Sequence, residues 1–150
     1  MRVVGVDFGQ RRVGLAISDD TALVARAWRA VPAGATPAES AAAVAAVVKE
    51  ASLGELGPVG AIVVGLPRRL NGEDTDQTQP ARVFAEALGA RTGLAVHLQD
   101  ERLSSHEAET RLAAHERDWR RRKALIDAEA AAVILQDYLD ARRRAAGADA

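Results

Sequence analysis

Three carboxylates, Asp7, Glu101 and Asp127, occupy places in the chain where a carboxylate is costly or conspicuous. Asp7 lies inside the apolar run Val3-Val4-Gly5-Val6-Asp7-Phe8-Gly9. Aspartate is depleted from strands, and an ionised carboxylate loses its hydration when buried. At the carboxyl end of a core strand with no local basic partner, such a residue implies a need for a charged oxygen there. Glu101 follows the apolar stretch at 94–98, within Gln99-Asp100-Glu101-Arg102. Asp127 interrupts the mostly apolar Ala124-Leu125-Ile126-Asp127-Ala128-Glu129-Ala130-Ala131. Taken singly, Glu101 reads equally as a partner for Arg102, and Asp127 as an early helix acid favoured by the macrodipole.

Taken together, three carboxylates at one sheet edge repel one another unless a cation neutralises them. An all-oxygen ligand set selects Mg²⁺ or Mn²⁺ over zinc. His97, His106 and His115 lack the close pairing of a zinc site and read as surface or packing residues. Two divalent ions roughly 4 Å apart can activate water and stabilise the leaving oxygen of a phosphodiester. The chemistry such acids would support is therefore hydrolysis of a nucleic-acid backbone.

Basic residues flank all three acids. Arg11 and Arg12 follow Asp7 near a hairpin turn, Arg102 follows Glu101, and Arg120, Arg121, Arg122 and Lys123 precede Asp127. Arginine suits bidentate phosphate contacts, so these seven are candidate nucleic-acid ligands. Solvated loop and edge charges are the plainer alternative. Trp119 could stack on a base or cover the domain's edge.

The elements that must position these groups follow from periodicity. Residues 2–8 and 12–18 read as an antiparallel strand pair, and 23–31 as a third strand ended by Pro32. Pro37 suits a first helical position, and 41–51 has strong helix propensity. Gly60 to Gly65 is a short apolar run typical of a buried parallel strand. A polar loop at 68–78 precedes a helix over 80–92 with Val83, Phe84, Ala87 and Leu88 on one face, then a strand at 94–98. Ser104-Ser105-His106-Glu107 has capping-box spacing for a helix to about His115. A long helix over 124–144 carries the stripe Ile126, Ala130, Val133, Ile134 and Leu139, with Asp127 in its first turn. The order β-β-β-α-β-α-β-α-α predicts an α/β fold, a mixed sheet with helices on its faces, and sites at the carboxyl ends of parallel strands. One domain over 1–144 with a frayed tail at 145–150 is expected.

Bulk composition agrees with such a protein and narrows its setting. The chain has 150 residues, 48% hydrophobic and 27% charged, and a net charge of −1. That length suffices for one domain with a real core. The absence of cysteine excludes thiolate chemistry and suits a reducing compartment. The N-terminus runs straight into a strand, and no apolar run nears the roughly 18 residues of a membrane span. The expectation is a cytoplasmic protein with no membrane partner.

Several of these segments also carry a family resemblance. Asp7-Phe8-Gly9 with Arg12-Val13-Gly14-Leu15-Ala16-Ile17-Ser18-Asp19 resembles the opening of the YqgF family, also called RuvX. Gly65-Leu66-Pro67, Asn71-Gly72, Asp100-Glu101-Arg102-Leu103-Ser104, and Asp127 with Ala130-Ala131 match its later motifs in order, over essentially 2–140. Ser105 stands where the family usually has Thr, and Arg68-Arg69-Leu70 is more basic than is common there. The family comprises candidate pre-16S rRNA nucleases, also described as Holliday junction resolvase-like. The resemblance implies an RNase H-like fold with a five-stranded mixed sheet and helices on both faces. It also implies that Asp7, Glu101 and Asp127 are the metal-binding acids, and that Lys123 matches a commonly basic position.

The reading that follows is a two-metal nuclease, with Asp7 bridging the ions and a 5′-phosphate product, acting in rRNA processing and ribosome biogenesis. Resolution of branched DNA, or action on single-stranded DNA, is the alternative. RuvC-type resolvases carry a fourth acid three residues after the helical Asp, where this chain has Ala130. Junction resolution also needs a two-fold homodimer, and the sequence reveals no dimer interface. A catalytically silent nucleic-acid-binding module would not need all three acids. A kinase of the sugar-kinase type would need two domains, and no GxxxxGK[ST] loop exists.

Overall fold

A computed structural model of the chain describes residues 1–101 and 119–148, with side chains over 1–101 and 125–147. Five strands form one sheet: β1 (Arg2–Phe8), β2 (Arg12–Ser18), β3 (Ala25–Pro32), β4 (Val59–Pro67) and β5 (Ala95–Glu101). Their order is β3-β2-β1-β4-β5. The β1–β2 and β2–β3 pairs are antiparallel, and β1–β4 and β4–β5 are parallel. Among the described residues three helices cover it, α1 (Pro37–Ser52), α2 (Thr78–Thr92) and α3 (Trp119–Ala148).

Alternation along the strands assigns the two faces. Val4 and Val6 on β1, Val13, Leu15 and Ile17 on β2, and Ile62 and Val64 on β4 pack in one core with Val44, Val48, Phe84 and Leu88 of α1 and α2. Each such side chain contributes about 1.5–3 kcal/mol when fully buried. Phe8 extends this face to the end of β1 by stacking on Phe84, with ring centroids 4.5 Å apart. The opposite face is built from small residues. Val3, Ala16, Ala25 and Val63 meet Ala131, Ala132, Ile134, Leu135 and Leu139 of α3.

Local chemistry sets the helix limits. Thr36 caps α1 by accepting a hydrogen bond from the Glu39 amide at 3.2 Å, and Pro37 sits in the first turn. Gly93, at φ 70°, ends α2 with its amide donating to the Gly89 carbonyl. On α2 the buried stripe is Ala81, Phe84, Ala85 and Leu88, whereas Val83 is exposed. The expected face was thus rotated. Spacing of three and four from Phe84 selects Ala81 and Leu88, and Val83 falls a third of a turn away.

Two boundaries differ in a way that bears on the site. Strand β5 runs on past Leu98 to Glu101, because its pairing with β4 continues through Gln99, Asp100 and Glu101. Helix α3 spans Trp119–Ala148 of the described residues, so Arg120, Arg121, Arg122 and Lys123 belong to its backbone and not to a loop. Asp127 therefore stands two turns inside α3. That position removes the helix-terminus reading, since the macrodipole effect fades within the first turn. The helix expected over 104–115 falls outside the described residues.

Candidate metal and nucleic-acid site

Asp7 is the next-to-last residue of β1, on the face that α3 covers. Its direct partner across the antiparallel pair is Gly14. A Cβ on Gly14 would lie 1.9 Å from the Asp127 carbonyl oxygen, so α3 touches the backbone of β2 at this point. The same close approach recurs at Gly5, where a Cβ would lie 2.7 Å from Leu135 Cβ and 3.0 Å from the Ala131 carbonyl oxygen. Glycines on neighbouring strands thus form a flat seat for α3, and the seat fixes Asp127 beside Asp7.

Glu101 reaches the same place from the other side. Its backbone pairs with Pro67 at the carboxyl end of β4. Its side chain leans back over Gly65, where a Cβ would stand 2.7 Å from Glu101 Oε2. Gly65 follows Val64, which is level with Val6, so the Glu101 carboxylate comes level with Asp7. The two carboxyl groups share a hydrogen bond.

Electrostatics agrees with this crowding. The Asp7 carboxyl titrates well above the usual carboxylate range. Burial is the largest cause, followed by the negative charges of Glu101 and Asp127 and the hydrogen bond to Glu101. Asp127 finds a neutraliser: Arg12 Nε stands 2.7 Å from its Oδ2, with both side chains part exposed. A pair of that exposure contributes less than about 1 kcal/mol to stability.

Among the described residues, no three His, Cys, Asp or Glu side chains as they stand gather closely enough to hold a cation together. The donor set nevertheless suits a hard divalent ion, being all carboxylate oxygen. The Arg12 guanidinium meets the charge of Asp127, while burial and the charges of Glu101 and Asp127 hold the Asp7 carboxyl well above the usual carboxylate range.

The other candidate residues are placed as follows. Arg11 is exposed in the β1–β2 turn, and its carbonyl accepts from the Ala33 amide at 2.9 Å. Arg102 lies outside the described residues. Arg120, Arg121, Arg122 and Lys123 form a turn of α3 just before Asp127, known by backbone alone. Arg68 was noted in the sequence only for its charge. Its amide donates to the Glu101 carbonyl at 3.2 Å, which puts a further basic residue at the site's rim. His97 stacks on Tyr138 at 5.4 Å, the packing role expected for it. Ser18 and Asp19, though part of the opening motif, are structural. Ser18 Oγ accepts from the Val3 amide, and Asp19 accepts from the Leu23 and Val24 amides at 2.8 Å each, at the far end of β1 from Asp7.

Sequence reasoning missed the seat of glycines. A signal existed: Val3, Gly5 and Asp7 on β1 and Gly14, Ala16 and Ser18 on β2 alternate as one face of small residues. That pattern marks where another backbone comes close.

Comparison with known proteins places the chain in a family. A protein from Anaeromyxobacter dehalogenans (strain 2CP-1), named as a candidate pre-16S rRNA nuclease, is 45% identical over 142 residues, spanning 95% of this chain and 98% of its own. A protein of the same name from Pelotomaculum thermopropionicum is 36% identical over 144 residues, spanning 96% and 90%. Thermus thermophilus RuvC, solved with a Holliday junction substrate, superposes with a TM-score of 0.54 at 19% identity, covering 95% of this chain and 96% of that one. This likeness shows the shared RNase H-like fold. The family model described as "RuvX: Holliday junction resolvase" matches residues 1–141, and the chain belongs to the RuvX family.

Proposed function

We propose that this chain is a divalent-metal-dependent nuclease that hydrolyses nucleic-acid phosphodiesters, with the 5′ end of pre-16S rRNA as its substrate. One observation carries the catalytic part of the reading. Asp7 lies against Glu101 and Asp127 at the carboxyl edge of β1 and β5, and burial with their two charges holds its carboxyl well above the usual carboxylate range. Acids held together against their own repulsion point to a cation as their working partner. The choice of rRNA rests on the names of the relatives.

Asp7, Glu101 and Asp127 would hold Mg²⁺ or Mn²⁺, two ions in the fullest form of the reading. When bound, the metal would supply an activated water and charge stabilisation for the leaving 3′-oxygen. The chain's own residues do the rest. Asp7 is fixed from two sides, by Gly14 on β2 and by the Phe8–Phe84 stack beneath the strand end. Asp7 must be deprotonated to act as a ligand, and its raised titration means that acid conditions oppose metal binding. Arg11, Arg12, Arg102 and the 120–123 turn would grip the phosphate backbone and set its approach to the acids. The cytoplasm is the compartment this role requires, and among the described residues no helix is long and apolar enough to cross a membrane.

The family's description favours a second reading, resolution of four-way DNA junctions in recombination or repair. Against it stands Ala130, buried at 1% exposure where a fourth acid would have to sit. Two-fold cutting would also require a homodimer. Rates of Mg²⁺- or Mn²⁺-dependent cleavage should be compared on a labelled pre-16S leader fragment and a four-way junction, with the mass in solution measured alongside. Faster cleavage of the leader by a monomer is expected. Junction-selective paired nicks from a dimer would replace the first reading with the second.

A further inference from the structure

Arg12 occupies an unusual position, between two roles that its charge could serve. Its backbone is fixed: it opens β2 opposite Pro32, and its carbonyl accepts from the Gly9 amide at 3.1 Å. Among the described residues, its side chain is held only at Nε, by Asp127 Oδ2 at 2.7 Å. That leaves four of the five guanidinium N–H groups available, and the side chain is 40% exposed on the open edge of the site. Asp127 is the mirror case. Its backbone is fixed over Gly14, while its carboxylate is turned toward Arg12. With Asp127 so engaged, the described acids do not form a three-ligand set, although Asp7 and Glu101 are already in contact.

We propose that Arg12 is an exchangeable counter-ion. Its guanidinium holds the Asp127 carboxylate in the metal-free protein and releases it to the divalent cation when a nucleic-acid phosphate takes the guanidinium instead. The proposal rests on the metal-dependent reading above and adds an order to it. Both exchanges are chemically even-handed. A phosphate accepts from a guanidinium at least as well as a carboxylate does, often through two parallel bonds. A divalent ion replaces the single positive charge lost by Asp127. A part-exposed ion pair is weak enough for both exchanges to proceed without a large barrier. Binding of phosphate backbone and of metal must then strengthen each other, and by linkage the coupling is reciprocal. In the absence of nucleic acid, Arg12 keeps the cation site weak.

The test is Mn²⁺ affinity without nucleic acid, read from the electron paramagnetic resonance signal of free Mn²⁺. The parent should be compared with Arg12→Ala, Arg12→Lys and Asp7→Asn. A companion measurement is the affinity of a single-stranded oligonucleotide in EDTA. Arg12→Ala should bind Mn²⁺ about fivefold more tightly than the parent and the oligonucleotide about fivefold more weakly. Arg12→Lys, which keeps the charge, should stay near the parent in both. General damage to the site would weaken Mn²⁺ binding, the opposite sign. Mn²⁺ affinity in Arg12→Ala equal to or below the parent's, with binding lost in Asp7→Asn, overturns this proposal alone. Equal Mn²⁺ binding by the parent and Asp7→Asn, or none by either, overturns the metal-site reading and this proposal with it.

Discussion

Gly14→Ala is the substitution by which the seat of α3 can be tested most sharply. The added Cβ would lie 1.9 Å from the Asp127 carbonyl oxygen, 2.2 Å from its carbonyl carbon and 2.9 Å from the Ala128 amide nitrogen. The nearest of these falls about 1.5 Å short of an ordinary contact. All three obstacles are backbone atoms of a helix, so no rotamer change relieves them. Helix and strand must part at Asp127 itself. Overpacking of this kind costs about 1–3 kcal/mol, and a rigid backbone clash belongs at the upper end. For a chain of this length, about 3 kcal/mol lowers the melting temperature by roughly 10 °C. Displacing a catalytic carboxylate by about 1 Å costs on the order of 100-fold in rate. Calorimetry and cleavage rates at a temperature where the variant is folded would measure the two effects separately. Gly54→Ala is the control, since its Cβ would meet only the Glu50 carbonyl oxygen at 3.7 Å. If Gly14→Ala matches that control in melting temperature and in rate, the glycine seat does not position Asp127.

Gly65→Ala makes a contrasting case. Its Cβ would meet the ends of two side chains, Ile134 Cδ1 at 2.6 Å and Glu101 Oε2 at 2.7 Å, which can swing aside. Stability should fall by less than about 1 kcal/mol, while Mn²⁺ affinity measured by titration falls at least about tenfold, because Glu101 is pushed off its place. The pH dependence of stability should also carry the mark of Asp7. The folded chain holds that proton more tightly than the unfolded chain does. Asp7's contribution to the stability of the metal-free protein is therefore fully present below about pH 4 and is lost as pH rises through its raised titration. In EDTA, Asp7→Asn should flatten that decline and melt higher than the parent at pH 7. Thermal melts of both proteins from pH 4 to 8 would check this, and a parent whose stability rises over that range would refute it.

Much of the frame was legible from pattern. The apolar runs of β1, β2 and β4 marked the strands, and Pro37 marked the start of α1. Asp7 and Asp127 stood out because each interrupts an apolar run, whereas Glu101, among polar neighbours, was singled out by its place at a strand end. Less legible were features that depend on contact between distant elements. The face of α2 was misjudged at Val83, where Ala81 and Ala85 fill the buried stripe with little hydrophobic signal. The end of β5 at Glu101 was set by pairing with β4 and not by its own polar residues. The start of α3 was hidden because arginine-rich turns read as loop, although Arg and Lys are good helix formers. The Arg12–Asp127 pair joins residues 115 positions apart, and no local pattern announces it.

The central claim is that Asp7, Glu101 and Asp127 form a metal-dependent site for phosphodiester hydrolysis. Its most direct test is Mn²⁺-dependent cleavage of a labelled pre-16S leader fragment by the parent and by Asp7→Asn, each shown to be folded by circular dichroism. The account predicts cleavage by the parent that leaves a 5′-phosphate and stops in EDTA, and a loss of at least about 1,000-fold in the variant. Cleavage by Asp7→Asn at the parent's rate and with the parent's metal dependence would contradict it.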